Sequence, residues 1–397
     1  VPPERGGVRG NQPQERNYIV KQGLTLTQFA QTIQERDAAK ADYLAPVPLI
    51  DVNTNGHTSL VLRDVEDASG NELAPLTIGN TAHGQLASYL GVPKAFYDHV
   101  LRNTSTIRDP NDPTQPLYDT LINGLLRACP PDDARLVRTL NGTARAWLSD
   151  RYRQMDNLEI LTRLLPVIQQ LPAVNWEQSS LQVTEDRMYL QLVDTSKPKV
   201  IKSGHQRVDD VLQRGVVITN SEVGLGSFAV QPLVFRQVCS NGLVITEYAQ
   251  RRFHVGGRNS GDAGIVWQSD TQKARNETTI LEMRDLMKMA MSDEFLNKIA
   301  ARAQDAADLP IKGAQLEPVV KNVTERFRLN GDERDAMFNH LVEGGDLSLW
   351  GLVNSITRAA QDVESYDRSV ELQAIGGNIL ALPKHDITAL LSEVSPN

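Results

Sequence analysis

Apolar residues along this chain change spacing twice, and the changes mark its elements. Leu26, Phe29, Ala30 and Ile33 recur every three to four residues, which predicts a one-sided helix over Leu24 to Arg36. Pro46 and Pro48 end that pattern. Strands are expected at Leu49 to Val52 and Thr58 to Val65, joined through Asn53-Thr54-Asn55-Gly56. Thr81 to Pro93 and Lys94 to Leu101 predict two helices turned by Gly91, and Leu117 to Ala128 a third, stopped by Pro130-Pro131. Leu136 to Leu140 and Thr143 to Leu148 flank Asn141-Gly142, the strongest short hairpin signal a sequence offers. Asp156 or Asn157 is placed to cap a following helix, whose core stripe is Leu158, Ile160, Leu161, Leu164 and Leu165.

From Val174 the period moves toward two. Leu181 to Thr184 and Met188 to Val193 predict paired strands, with Val216 to Asn220, Phe228 to Cys239 and Leu243 to Tyr248 as further ones. Thr195 to Arg207 is polar and basic, interrupted by Pro198 and Gly204, and is expected to be a long mobile loop. Beyond Asp262 nearly everything is helical. One long helix is expected over Thr271 to Ala307, then Leu316 to Phe327, Gly331 to Val342 and Leu347 to Ser365. Asp332 and Asp346 are in cap positions, and Gly376-Gly377 in a terminating one. The fold class is therefore α+β: a central antiparallel β-sheet domain flanked by helices, with a helical C-terminal domain. The expected divisions are an extended leader over 1–23, an N-terminal α+β region over 24–130, a β-rich core with basic segments over 131–261, and helices over 262–397.

With 397 residues, 40% hydrophobic and 23% charged, the composition is that of a multi-domain globular chain. The Gly/Pro/Arg-rich opening lacks the apolar stretch of a secretory signal, and Cys129 and Cys239 alone cannot form a disulfide framework, so a cytoplasmic setting is expected. Net charge is -8, which argues against a polyanionic partner until its distribution is read. Arg127 to Arg258 holds 17 Lys plus Arg against 13 Asp plus Glu, while the remainder holds 24 against 36. An acidic body thus surrounds a mildly basic middle.

Thr81 to Leu101 also resembles a helix-turn-helix. Its second helix opens on Ala95, Phe96 and Tyr97, however, which cannot read base edges, so a plain helical hairpin is the better reading. Cys239 with His254 lacks a nameable orienting partner for thiol catalysis. Gly224-Leu225-Gly226-Ser227 lacks the lysine of a phosphate-binding loop, and the seven His have no metal-ligand spacing. No cofactor is expected.

Leu148 to Asn157 resembles a family of phage and plasmid proteins known by a domain of unknown function, DUF932. The resemblance continues through Ile218-Thr219-Asn220-Ser221-Glu222-Val223-Gly224, Arg236-Gln237-Val238-Cys239-Ser240-Asn241-Gly242-Leu243 and the Leu347 to Ala360 helix, covering roughly residues 80 to 370. The phage and plasmid setting implies single-stranded DNA binding or annealing in a bacterial host cytoplasm, with a fold like that of Rad52-like annealing proteins.

Such a protein must hold phosphates while leaving base edges free, usually as a homo-oligomer, in a ring or filament, that lengthens the track. Arg145, Arg151 and Arg153 leave the hairpin strand at near-alternate positions with Trp147, and are expected to share a face, with Tyr152 stacking a base. Lys197, Lys199, Lys202 and Arg207 would clamp the groove, and Arg251, Arg252 and Arg258 form its far wall. The plainer alternative pairs Arg151 with Asp150 or Asp156 and puts Trp147 in the core. The main rival function is a structural or assembly protein of a phage particle. A third is a metal-dependent nuclease using Asp209, Asp210 and Glu222.

Overall fold

The structure, a computed structural model, describes residues 23–152, 154–171, 174–176, 179–202, 209–237, 241–252, 269–312 and 315–392. Its first sheet contains β1 (Lys40–Pro46), β2 (Ile50–Asn53), β3 (Ser59–Leu62), β4 (Leu76–Ile78), β5 (Ala134–Leu140) and β6 (Thr143–Ser149), in the order β1-β5-β6-β4-β3-β2. All its pairings are antiparallel except β4 with β6. The turn between β5 and β6 has Asn141 at φ 50° and Gly142 at φ 74°, the left-handed pair that lets two residues join twisted strands. Helices α2 (Asn80–Tyr89), α3 (Lys94–Arg102) and α4 (Leu117–Arg127) close this core with Leu86, Tyr97, Val100, Ile122 and Leu126 against Ile50, Leu60, Val137 and Trp147. Gly91 turns α2 into α3 at φ 67°, and Ala95 and Phe96 are exposed beside buried Tyr97. The expected division near residue 131 instead runs through this sheet, because β5 and β6 pair with β1 and β4.

The second sheet holds β7 (Ser180–Val183), β8 (Met188–Ile201), β9 (Asp210–Asn220), β10 (Phe228–Arg236) and β11 (Asn241–Val244), in the order β11-β10-β9-β8-β7, and β12 (Gln250–Arg252) also pairs with β10. Leu190, Leu192, Val216, Ile218, Phe228 and Val230 pack on α1 (Leu26–Ala39), α5 (Asn157–Gln169) and α6 (Ser269–Ala290) through Phe29, Ile33, Ile160, Leu164, Met283 and Met287. Thr25 and Gln28 form a capping box that starts α1. Helices α7 (Asp293–Ala307), α8 (Leu316–Phe327), α9 (Gly331–Gly344), α10 (Leu349–Ala359), α11 (Tyr366–Leu380) and α12 (Lys384–Leu390) form a helical C-terminal region, joined to this sheet through Leu212, Val234 and Leu243.

Several expectations change at this level. The basic stretch from Thr195 is not a loop throughout: β8 continues to Ile201 after an irregularity between Asp194 and Lys199. The single helix over Thr271 to Ala307 is two, because Ser292 accepts a hydrogen bond from Phe295 N at 3.1 Å and restarts the chain as α7. Asn330 and Ser348 cap α9 and α10 in place of Asp332 and Asp346. Leu165 faces solvent, and Ile168 takes the expected core place.

Gly376 and Gly377 do not end α11 but lie inside it. A Cβ on Gly377 would sit 2.0 Å from the Val244 carbonyl oxygen, so glycine is what lets this helix lie directly on β11. In an open helix Gly→Ala stabilises by up to about 1 kcal/mol. Gly377→Ala is expected to do the reverse, lowering stability by about 1–3 kcal/mol through overpacking. A urea midpoint equal to or above wild type would contradict this packing.

Candidate functional site at the junction of the two sheets

Strands β5 and β6 pair Thr139 with Ala144 but Arg138 with Ala146, which leaves Arg145 as the extra residue of a β-bulge. The bulge reverses side-chain parity beyond it. Ala144 and Trp147 face the first core, while Ala146 and Leu148 pack with Leu136 and Val223 on the opposite side. Arg145 is buried and donates to Glu222 Oε2 at 2.8 Å. Glu222 Oε1 accepts from Asn157 N at 2.8 Å, so its carboxylate sits at the N-terminus of α5, where a negative charge is stabilised. Arg138, 0% exposed, donates to the Glu222 carbonyl at 3.0 Å and pairs with Asp42 and, at 2.6 Å, Asp156. Lys40 meets the other oxygen of Asp156 at 2.6 Å. Asp156 stands at the N-cap position, but these cations have taken its carboxylate. Asn220, also fully buried, donates to Met155 O at 2.9 Å and Asn157 Oδ1 at 2.8 Å.

Beside this network lies an open groove of about 550 Å³. One wall is the face of α2 carrying Thr81, Gly84, Gln85 and Ser88, and the other is the end of β6, with Leu225 at the lip. The Arg135 guanidinium lies 4.0 Å from the centre of the Tyr89 ring, and Tyr89 and Trp147 are 5.9 Å apart. Gln85 spans the junction, accepting from Trp147 N at 2.7 Å and donating to Val223 O at 2.7 Å.

The family model described as "Domain of unknown function (DUF932)" matches residues 146–376, more than half of the chain. The chain belongs to the DUF932 family. The match begins well after residue 80, where the resemblance was expected to start, and leaves most of the first sheet outside it. No curated protein and no solved structure matches the chain. Within the DUF932 region, two of the resembling segments, Leu148–Asn157 and Ile218–Gly224, meet in the Glu222 network. The other two meet at the opposite end of β9. There Asp210 accepts from Trp350 Nε1 at 2.7 Å and from Arg236 Nε at 2.5 Å, and Asn241 donates to Thr357.

This placement sorts the expected site residues. Arg145 and Trp147 are not groove-lining cations and stacker on one surface: the bulge turns Arg145 into the protein and leaves Trp147 only 4% exposed in the core. The hydroxyl of half-buried Tyr152 donates to Ser221 O at 3.1 Å. Lys197 pairs with Asp293 at 2.9 Å. Arg151, Lys199, Lys202 and Arg251 are exposed. Arg153, Arg207 and Arg258 lie outside the described residues, as do Cys239, His254 and the Arg252 side chain. The single channel expected of these twelve residues is not formed by the described ones. Lys199 aligns with Leu212 and Arg251 with Ala229, opposite ends of the long strands.

Asp210 and Glu222 do not gather around a metal with Asp209 either. Asp210 begins β9 and Glu222 follows its far end, a strand roughly 33 Å long, and each is satisfied by its own arginine. Arg138, Asp42, Tyr89 and Arg135 were not singled out from sequence. Arg138 alone left a signal, a cation at an alternating position within the apolar strand.

Removing Glu222 strands Arg145 in a dry junction. Glu222→Ala is expected to cost about 3–5 kcal/mol by urea denaturation, and adding Arg145→Met to recover part of it. Recovery of nothing would mean the pair is not the source of the loss. Two groups near this junction contribute to the acid response. Burial, then nearby Lys94, lowers His83 to about 4, so stability complete above pH 6.5 declines as the pH falls toward 4. Burial opposes ionising Asp156, but Arg138 and Lys40 outweigh it and hold its carboxyl below the usual range. Its contribution, present above about pH 3.8, is lost as the pH falls through that lowered value. Asp156→Asn should therefore lower stability at pH 7 and flatten the loss below pH 4. An unaltered slope there would exclude the group.

Proposed function

We propose that this DUF932 protein binds single-stranded DNA without sequence preference, as an oligomer and without covalent chemistry, in annealing during phage or plasmid recombination. What supports the reading is how its cations divide. Arg138, Arg145, Arg214 and Arg236 are themselves largely buried, and each is held by a carboxylate. Arg151, Lys199, Lys202 and Arg251 are exposed and have no carboxylate partner among the described residues. Exposed, unneutralised cations in an otherwise acidic protein are the groups a phosphate backbone engages. Lys199 and Arg251 lie seven positions apart along β9 and β10 and three strands apart across the sheet, an odd separation that sets their side chains on opposite faces. The strand would follow separate points of contact, in place of one lined channel.

Fluorescence anisotropy with a labelled oligonucleotide across a salt series tests this. Affinity is expected to fall steeply with salt, and Lys199→Glu with Lys202→Glu to reduce the logarithmic slope by about 1.4, two single-strand phosphate contacts. Absent or salt-insensitive binding favours the assembly reading, and magnesium-dependent product formation an enzyme.

A further inference from the structure

We infer that the outer edge of β1 is where a second copy of this chain docks, joining the first sheets of two protomers strand to strand. The strands at the ends of the two sheet orders are β1, β2, β7 and β11, and all but β1 are closed. On β2 the side-chain amide of Asn123 stands in for a neighbouring strand, accepting from Val52 N at 2.7 Å and donating to Val52 O at 2.9 Å. On β7 the Leu181 carbonyl accepts from Leu24 N at 2.6 Å. On β11 the backbone of α11 lies against Val244 O at Gly377. Strand β1, by contrast, pairs with β5 alone. Ala39 O accepts from Asn141 N, and Val47 N donates to Asp133 O, so the odd-numbered residues between them turn their backbone groups toward β5. Those of Asp42 and Leu44 turn outward, and no described residue hydrogen-bonds to them.

An open edge is commonly guarded by charged side chains or by proline. On β1 those guards are occupied. Lys40 Nζ is drawn in to Asp37 and, at 2.6 Å, to Asp156, and Asp42 is held by Arg138 at 3.0 Å. Pro46 stands only at the strand's end. With these charges neutralised locally, two copies meet here without repulsion although each carries a net charge of -8. Between them Leu44 is 60% exposed, the most exposed large hydrophobic side chain among the described residues, and it lies beside Leu136 of β5. A strand's outward row of donors and acceptors is matched by the same row turned about a two-fold axis, so a second copy fits this edge. Chemistry also selects the register. Asp42 opposite its own copy would oppose two carboxylates, and Leu44 opposite its own copy would set Asp42 against Pro46, which has no N–H. Pairing Asp42 with Leu44 of the second copy avoids both and brings the two Leu44 side chains within diagonal reach. The pairing specifies which surface builds the oligomer proposed above, and it stands whether or not DNA binds.

Light scattering on the eluting full chain, without DNA, reads the mass across a concentration series. Wild type should approach twice the chain mass, or a multiple of that pair, as concentration rises. Leu44→Pro deletes only an outward N–H, a change that edge strands tolerate, and should halve the mass while the circular dichroism stays that of wild type. Leu44→Glu sets a new carboxylate against Asp42 of the second copy and should do the same. Should either variant unfold, hydrogen exchange of wild type decides, since the Asp42 and Leu44 amides then gain protection as the protein is concentrated. A wild-type monomer at every concentration overturns the pairing. So does an unchanged mass in the folded variants, or exchange of these amides that ignores concentration. Because no oligonucleotide is present, failure of the single-strand reading in the salt series leaves this outcome untouched.

Discussion

The carboxylate of Glu222 is the contact on which the two halves of this protein depend. One oxygen receives the Arg145 guanidinium from the bulge of the first sheet, and the other receives the first amide of α5, which packs on the second. Arg145 is 8% exposed and Glu222 7%, so little water reaches either charge. Charges this dry are tolerated only when paired and hydrogen-bonded, so the sheets are constrained to a relative position that keeps the pair intact. Arg138 extends the constraint by reaching Asp42 on its own sheet, Asp156 before α5 and the Glu222 backbone at once.

Strand β9 carries this constraint across the molecule. Asn220 and Glu222 anchor one end to the first sheet and α5. Asp210 anchors the other to Trp350 of α10 and Arg236 of β10. Between them the strand is largely buried, with Gln213 and Arg214 among its buried residues. The segments by which the chain resembles its family are these anchoring points. They describe what holds the DUF932 region together.

That division changes where function is sought. Basic residues in this chain do two unlike jobs, and charge alone does not tell them apart. Cations on strands that face another layer are consumed by carboxylates, whereas those on turns and strand ends stay available to solvent. The groove beside Gln85 owes its form to the same junction, since Gln85 ties α2, β6 and the loop after β9 together.

Periodicity, prolines and glycines in the sequence were enough to locate most helices and strands, the Asn141-Gly142 turn and the α+β class, because those signals act within a few residues. They were also enough to place Asp156 and Asn157 at a helix start, though not to tell that Arg138 and Lys40 would take the Asp156 carboxylate. Sheet membership was not legible: β5 and β6 join β1 and β4 through pairings about a hundred residues apart for β1 and over sixty for β4. Nor was the outward face of a strand legible across a bulge, where one added residue moved Arg145 from an expected surface to a buried ion pair. Local patterning determined the elements. Burial, and with it the fate of each charge, was decided only when distant segments met, since the cost of an unpaired charge depends on which water those segments exclude.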